Sequence, residues 1–169
     1  MSKIETKITT PEFRVSFPSV FTPSDFNGTE TFQVTMLFDK GTDLSVLKDA
    51  VARAAKEKWG AKLPAGFRSP IRDGAEKSHI AGYDGCIFVT AKSSQKPGVV
   101  DRALNILTDS SEFYAGCIAR ATVVAFAYDR NGNKGVSFIL SNVQKIADGE
   151  AFSSRRSAQD DFDAIEDIF

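Results

Sequence analysis

The sequence predicts a mainly β fold: a small, mostly antiparallel barrel of five strands with one inserted α-helix, long loops and an acidic C-terminal tail. Five or six segments have the period-two alternation or the flanking turn residues of β-strands. One segment has helical periodicity, whereas a doubly wound parallel sheet needs a helix between most of its strands. The 169 residues, 14 of them Phe, suffice for the core of one such domain.

The clearest strand is predicted over residues 31–39, where every second side chain is apolar. Before it, the segment PEFRVSFPSVF alternates in the same way, so we expect Phe13, Val15 and Phe17 to share one face. The proline that follows this run, and another five residues later, should place the strand at a sheet edge or end it. An Asn-Gly pair then marks a turn within residues 24–30.

One helix is predicted after this strand, with Thr42 as its N-cap and Gly60 as its C-cap. The apolar residues fall on one face, opposite the charged residues, and are Leu44, Leu47, Val51, Ala54 and Ala55. Trp59 lies in the last turn, where packing against the core is favoured over stacking on a nucleic-acid base.

Further strands and a hairpin complete the predicted barrel. Residues 85–93 alternate, with Ile87, Val89 and Ala91 on one face and Phe88, Thr90 and Lys92 on the other. A strand over residues 117–128 and the segment VSFILSNVQKI flank an Asn-Gly pair, which is a strong signal for a β-hairpin.

The distribution of charge divides the chain into a basic body and an acidic end. Five of the 22 acidic residues follow Gln159 and no Lys or Arg follows Arg156, so residues 1–158 carry 21 basic and 17 acidic residues. We therefore expect a folded domain over residues 1–150 and a flexible linker with an acidic tail over residues 151–169. The alternative interpretation is a disordered end without a binding role.

The predicted tail combines negative charge with large apolar side chains. Its acidic residues are Asp160, Asp161, Asp163, Glu166 and Asp167. Phe162, Ile165 and Phe169 recur at the spacing of one helical face, which suits binding in a partner's groove. Carboxylates imitate phosphates and Phe rings imitate bases. The tail is therefore predicted to occupy a nucleic-acid groove of the body and to contact other proteins when DNA displaces it.

The sequence lacks the motifs of common catalytic and metal sites. It contains no GxxxxGK[ST] phosphate loop, no Gly-x-Ser-x-Gly elbow and no Cys-x-x-Cys. His79 is the lone histidine, and Cys86 and Cys117 have no metal-ligand spacing. The polar N-terminus differs from a signal peptide, no apolar run reaches membrane-spanning length, and two thiols in such a chain are expected to stay reduced. We expect neither catalysis nor a cofactor.

Residue types that bind single-stranded nucleic acid are interleaved in the sequence. Such binding needs a positive groove for phosphates and aromatic faces on which bases stack. Cations lie in the irregular loop of residues 62–78, and aromatic residues with further lysines follow in and around the next strand. The predicted contact residues are Phe88, Lys92, Lys96, Tyr83, Arg68, Arg72, Lys77, Tyr114, Arg120 and Arg14. The alternative places Phe88 in a second core and the loop charges in solvent.

Four stretches resemble a family of phage proteins once catalogued as a domain of unknown function (DUF2815) and now regarded as phage single-stranded-DNA-binding proteins. They are RVSFPSVF, PIRDG, the run from FYAGC to IADGE, and the acidic end with DDF, and the match covers nearly the whole chain. Tyr-x-Gly-Cys at 114–117 and Gly-Asn-Lys-Gly-Val at 132–136 are the most specific parts. The architecture also looks like that of the T7-type phage single-strand binder. The resemblance implies an OB-fold, DNA binding without catalysis, and tail contacts to replication proteins.

The leading hypothesis is a phage protein that coats single-stranded DNA with little sequence preference during replication, recombination or repair, in the cytoplasm of the infected bacterium. Duplex DNA is expected to bind more weakly, because paired bases cannot stack on aromatic side chains. An alternative is a β-scaffold whose acidic tail recruits a replication enzyme without DNA contact. A third hypothesis, a small metal-dependent nuclease, is disfavoured by the arrangement of carboxylates and the lone histidine. The sequence leaves open whether the protein forms a homodimer.

Overall fold

The computed structural model describes residues 7–26, 28–80 and 82–150, and these residues form a sheet of eight strands with one α-helix. The strands are β1 (Lys7–Thr9), β2 (Phe13–Phe26), β3 (Thr29–Asp39), β4 (Arg72–Asp73), β5 (Cys86–Ser93), β6 (Gly98–Val100), β7 (Ile118–Arg130) and β8 (Asn133–Ala147). Helix α1 covers Ser45–Trp59, and a short 3-10 helix covers Gly74–Lys77. The predicted tail over residues 151–169 lies outside the described residues, so the domain boundary at residue 150 stays a prediction.

Five of the strands pair in a closed ring. β2 pairs with β3, β3 with β5, β5 with β8, β8 with β7, and β7 returns to β2. Closure leaves these five strands without a free edge, while β1, β4 and β6 extend the sheet beside β7, β5 and β8. The ring confirms the predicted five-stranded barrel with one inserted helix.

One pair in the ring is parallel and the other four are antiparallel, which agrees with the predicted mostly antiparallel barrel. β5 and β8 run in the same direction, with Ala91 opposite Phe138 and Lys92 opposite Ile139. Parallel neighbours need a long crossover, and here β6, a loop and β7 supply it. The pair matters for function because it places the outward side chains of β5 beside those of the β7–β8 hairpin.

The first long strand changes face part-way along its length. Phe13 and Val15 are buried in the barrel core as predicted, but Phe17 is exposed, and the prediction that it shares their face is wrong. The β2–β3 pairing slips between Ser16 and Ser19, so the period of two is interrupted there. The bulges also let β2 continue past its two prolines, which were expected to limit it.

Helix α1 lies between β3 and β5 in the chain and packs its predicted apolar face into the core. Leu44, Leu47, Val51, Ala54 and Ala55 are all buried. Gly60 ends the helix with φ +73° and donates a hydrogen bond to the Lys56 carbonyl, as predicted. Thr42 was the wrong N-cap, because the helix begins after Leu44 and the nearby Asp43 carboxylate accepts from the Ser45 N–H at 2.9 Å.

The β7–β8 hairpin turns at the predicted Asn-Gly pair. Asn131 and Gly132 have φ +52° and +81°, the left-handed backbone that this turn requires and that these two residue types tolerate. The hairpin is long, with Ile118 opposite Ala147 at its base and Arg130 opposite Asn133 at its tip. Within residues 7–26, 28–80 and 82–150, no helix is long and apolar enough to cross a membrane.

Candidate nucleic-acid interface

An open cleft of about 1270 Å³ lies on the outer surface of the barrel. Its floor is formed by the outward side chains of β5, β7 and β8, including Thr90, Ser137 and Ile139. Thr31 on β3 borders it on the other side. OB barrels bind oligonucleotides on the face of their second and third strands and on the adjoining hairpin loops. In this ring the second and third strands are β3 and β5, and both contribute residues to the cleft.

The loop of residues 68–76 forms one wall of the cleft and is hydrogen-bonded to the barrel at both ends. The Arg68 N–H donates to the Lys134 carbonyl at 2.9 Å, and the Val136 N–H donates to the Arg68 carbonyl at 3.2 Å. Further along, β4 pairs with β5, with Arg72 opposite Phe88. The sequence predicted an irregular basic loop here, and these bonds fix its position against the cleft.

Close packing at Gly135 holds this wall against the hairpin. A Cβ atom at Gly135 would lie 2.5 Å from the Arg68 carbonyl oxygen and 2.8 Å from the Tyr128 hydroxyl oxygen. Only glycine allows the two backbones to approach so closely.

Two aromatic side chains of β7 face the cleft. Phe126 and Tyr128 lie two residues apart on the outward face, with ring centroids 6.3 Å apart and planes inclined by 53°. Both rings are partly exposed. The sequence analysis missed this pair, although the alternation of Phe126 and Tyr128 with Ala125 and Ala127 signals an outward aromatic face.

Four basic side chains line the cleft: Arg68, Arg72, Lys92 and Arg130. Arg72 is paired with Glu76 at 2.6 Å, four residues further on. The other three form no ion pair with any residue that the structure describes. Arg68, Arg72 and Lys92 were predicted site residues, whereas Arg130 was missed because the sequence analysis assigned it to the turn.

The acidic residue Asp73 also lines the cleft, and its carboxylate is bonded within the wall. Its carboxylate accepts a hydrogen bond from the Ala75 N–H at 2.9 Å and lies 3.6 Å from the Lys40 ammonium nitrogen. The bond from Ala75 and then the charge of Lys40 lower the pKa of Asp73 below its usual range. Its negative charge is therefore used to cap the short 3-10 helix.

Phe88 and Tyr83 are buried, so the prediction that they are exposed stacking platforms is wrong. Phe88 is 4% and Tyr83 2% exposed, and with Leu37 they form a second, smaller core on the outside of the barrel. Their rings lie 5.3 Å apart, and the Arg72 guanidinium carbon lies 5.3 Å from the Phe88 ring centre. The alternative interpretation, which placed Phe88 in a second core, describes its position, although Phe88 is also among the residues that line the cleft.

Lys77 and Lys96 lie near the cleft without lining it. The Lys77 ammonium nitrogen is 6.0 Å from the centre of the Phe88 ring, on the 3-10 helix that follows the wall. Lys96 is exposed in the turn after β5. Four of the predicted contact residues therefore line the cleft: Phe88, Lys92, Arg68 and Arg72.

Tyr114, Arg14 and Arg120 are directed elsewhere. The Tyr114 hydroxyl donates to the Asp148 carboxylate at 3.0 Å and accepts from the Gly149 N–H at 3.2 Å. Arg14 donates to the Glu150 carbonyl. Arg120 donates to the Gln144 side-chain carbonyl at 2.7 Å across the hairpin. None of the three lines the cleft, and their contact with DNA stays a prediction.

Both cysteine thiols are free, and burial is the main cause that raises the pKa of each. The nearby Asp39 carboxylate raises the pKa of Cys86 further. Both thiols are therefore protonated at neutral pH. In the part of the chain that the structure describes, no group of three or more His, Cys, Asp or Glu residues is arranged to hold a metal ion. The predicted tail residues, from Asp160 to Phe169, lie outside that part.

The fold and the cleft define an OB-like barrel protein whose surface cleft combines cationic side chains with partly exposed aromatic rings. A family model described as "Enterobacter phage Enc34, ssDNA-binding protein" matches residues 6–168, and the chain belongs to this family. The relationship is also visible in protein p50 of Acyrthosiphon pisum secondary endosymbiont phage 1, which is 35% identical over 161 residues covering 87% of this chain and 86% of p50.

Two solved structures share the fold at low sequence identity. The single-stranded DNA-binding protein from bacteriophage Enc34 in complex with ssDNA has a TM-score of 0.77 at 20% identity, covering 88% of this chain and 90% of that chain. The gp2.5 protein, a single-stranded DNA binding protein encoded by bacteriophage T7, has a TM-score of 0.67 at 13% identity, covering 93% and 100%. The expected resemblance to phage single-strand binders is confirmed.

Proposed function

We propose that this protein binds single-stranded DNA in the cleft between the loop of residues 68–76 and the β7–β8 hairpin, with little sequence preference and without catalysis. The observation that carries the proposal is the meeting of Phe126 and Tyr128 with Arg68, Lys92 and Arg130 on one open surface. Membership of a family described by single-stranded DNA binding supports it.

The two residue types have separate roles. Unpaired bases stack on the Phe126 and Tyr128 rings, and each stacked base contributes about 1–3 kcal/mol whatever its identity. Arg68, Lys92 and Arg130 neutralise phosphates and release counterions, which makes the affinity depend on salt. Duplex DNA binds more weakly, because its bases stay stacked on one another.

The wider role follows from this activity. The protein coats single strands exposed during replication, recombination or repair of phage DNA inside the infected bacterium. The acidic tail competes with DNA for the cationic cleft and contacts replication proteins when DNA displaces it, through Phe162, Ile165 and Phe169. These roles extend the resemblance drawn from the sequence.

The test compares the wild-type protein with Phe126→Ala and Tyr128→Ala in titrations of fluorescent oligo(dT) at several salt concentrations. Each variant should bind about 5- to 150-fold more weakly at every salt concentration, with an unchanged salt slope, because stacking releases no counterions. The matched control is Phe21→Ala. That partly buried ring packs beside Phe113 and does not line the cleft, so its loss should change stability but not DNA affinity at a temperature where the variant is folded.

Two results would overturn the proposal. If the wild-type protein and a form ending at Gln159 both fail to bind oligo(dT), the scaffold interpretation replaces it. If both aromatic variants bind like the wild type, the DNA site lies on another surface.

A further inference from the structure

We propose that Phe17 is a second base-stacking position, so that the DNA leaves the cleft, passes over the Tyr83–Phe88 cluster that covers this part of β5 and β3, and ends on β2. This inference deepens the proposed function and depends on it. It assigns a binding role to a residue that stands outside the cleft and outside the set predicted from the sequence.

Phe17 is an exposed aromatic ring in a costly conformation. It is 53% exposed, with φ +45°, and it precedes Pro18. A positive φ is a genuine outlier for a bulky residue, and proline further restricts the residue before it to extended conformations. Burial of the ring does not compensate for this cost, because more than half of the ring faces solvent. Such outliers concentrate at binding sites, where the local strain positions a side chain.

The ring is also held in place from one side. Its centroid lies 6.3 Å from that of Tyr83, at an interplanar angle of 53°. The Tyr83 hydroxyl is hydrogen-bonded to the Ser16 hydroxyl at 2.9 Å, and the Tyr83 ring packs on Phe88 at 5.3 Å. Phe17 therefore leans on a buried and hydrogen-bonded support and leaves its other side open. A rigid aromatic ring loses little entropy when a base stacks on it.

A short row of polar residues lies between Phe17 and the cleft floor, and its members Ser16 and Thr35 are buried beside the Tyr83–Phe88 cluster. Ser16 lies opposite Thr35 on β3, and Thr35 lies opposite Thr90 on β5, which is on the cleft floor. The Thr35 and Thr90 hydroxyls are hydrogen-bonded at 3.0 Å. Two strand spacings, about 10 Å in all, thus separate the β2 backbone from the cleft floor.

Cations flank this route. Arg72 borders the cleft and covers one side of the Phe88 ring, while Lys77 lies 6.0 Å from the centre of the same ring. Phe88 in turn supports Tyr83, against which Phe17 leans. A strand crossing from the β7–β8 hairpin to β2 therefore passes Arg72, which is paired with Glu76, and Lys77. An exposed aromatic ring at the end of a cationic path suits an unpaired nucleobase better than an apolar protein segment.

The test uses oligo(dT) of two lengths, about 4 and about 16 nucleotides, which span the site sizes known for one OB fold. Phe17→Ala should weaken binding of the long oligonucleotide about 5- to 150-fold and leave that of the short one nearly unchanged, because the short one fills the cleft alone. Phe17→Tyr should bind both like the wild type. Tyr128→Ala should weaken both.

Leu104→Ala is the matched control. Leu104 is 70% exposed and also has a positive φ, +68°, but lies in the turn after β6, away from the cleft. Loss of the Leu104 side chain should leave the affinity for both the short and the long oligonucleotide unchanged. An independent readout is ultraviolet crosslinking of 5-iododeoxyuridine placed along the long oligonucleotide, with mass spectrometry of the peptides. Crosslinks should reach the peptide containing Phe17 only from positions near one end.

The outcomes separate this inference from the proposed function. If the wild-type protein binds neither oligonucleotide, the proposed function fails. If Phe17→Ala binds the long oligonucleotide like the wild type while Tyr128→Ala binds it weakly, only the Phe17 inference fails. If Phe17→Ala changes the sedimentation mass of the protein and not its DNA affinity, Phe17 is a contact between subunits. Should Phe17→Ala not fold, absence of the end-specific crosslink in the wild-type protein would overturn the inference.

Discussion

The Tyr114 hydroxyl donates a hydrogen bond to the Asp148 carboxylate at 3.0 Å and thereby joins the loop before β7 to the segment after β8. Lys145 lies 2.7 Å from the same carboxylate oxygen, and its ammonium nitrogen lies 5.4 Å from the Tyr114 ring centre. Arg14 on β2 bonds the Glu150 carbonyl just beyond. Two residues expected to contact DNA thus hold the chain where the predicted tail starts.

We predict that the contribution of Asp148 to stability disappears in acid. The hydrogen bond from Lys145, then that from Tyr114, lowers the pKa of Asp148 below its ordinary value of 3.8. A lowered carboxyl pKa stabilises the folded state above the unfolded-state pKa, and that stability is lost as the pH falls through the folded-state pKa. The difference in unfolding free energy between the wild type and Asp148→Asn should therefore be constant above about pH 5 and shrink as the pH falls through the lowered pKa of Asp148. Urea unfolding at several pH values measures it, and a difference that grows in acid would contradict this assignment.

Gly135→Ala should destabilise the protein and displace the cleft wall. The new Cβ would lie 2.5 Å from the Arg68 carbonyl oxygen, and a backbone atom cannot move aside as a flexible side chain can. We expect a loss of about 1–3 kcal/mol in unfolding free energy, as for overpacked sites, together with weaker oligo(dT) binding. Gly41→Ala is the control, because nothing lies within 4 Å of its Cβ position. Equal stability of the two variants would show that the wall moves freely.

Lys92→Gln should reduce the salt dependence of DNA binding. Lys92 lines the cleft and forms no ion pair with a described residue. Removing one phosphate contact from a single-strand complex should lower the magnitude of the log–log salt slope by about 0.7. Lys48→Gln, on the exposed face of α1, should leave the slope unchanged. If both variants keep the wild-type slope, Lys92 does not meet a phosphate.

Phe88→Ala should act on folding before it acts on binding. The ring is 4% exposed and packs on Tyr83 and Leu37, so its removal leaves a cavity. Large-to-small changes of this kind cost about 3–5 kcal/mol, and Phe88→Leu should cost much less. Chemical denaturation measures both. A fully stable Phe88→Ala that no longer binds DNA would restore the original interpretation of this ring as a base-stacking surface.

Ending the chain at Gln159 should strengthen DNA binding, mostly at low salt. The deletion removes five carboxylates, which under the proposed function compete with phosphates for the same cations, and salt screens such competition. Oligo(dT) titrations of the intact and shortened proteins at low and high salt provide the comparison. Identical affinities across the salt range would show that the tail does not compete for the cleft.

The sequence predicted what depends on local patterns. Alternation located β3 and β5, helical periodicity located the buried face of α1, and the Asn-Gly pair located the tip of the β7–β8 hairpin. Two predicted side-chain orientations are wrong, because tertiary structure overrides the local pattern at those residues. A bulge turned Phe17 outward, and the segment after β4 folded over Phe88 and buried its second face.

The contacts that assemble the candidate site join residues far apart in the chain. Arg68 meets Gly135, and Arg14 meets Glu150, and no spacing in the sequence encodes either contact. The Phe126–Tyr128 pair could have been predicted from the sequence, because these two aromatic residues alternate with alanines. The cationic residues of the loop were found from composition alone, and their grouping around one cleft became visible only with the parallel β5–β8 pair.

That parallel pair sets the order in which the protein acquires its surface during synthesis. β5 ends at Ser93, but its neighbour β8 begins only at Asn133, so the ring cannot close until nearly all of the barrel has left the ribosome. The loop of residues 68–76 has its partner carbonyl, that of Lys134, on the same late strand. A nascent chain therefore has no assembled cleft until β8 has been synthesised and has paired with β5.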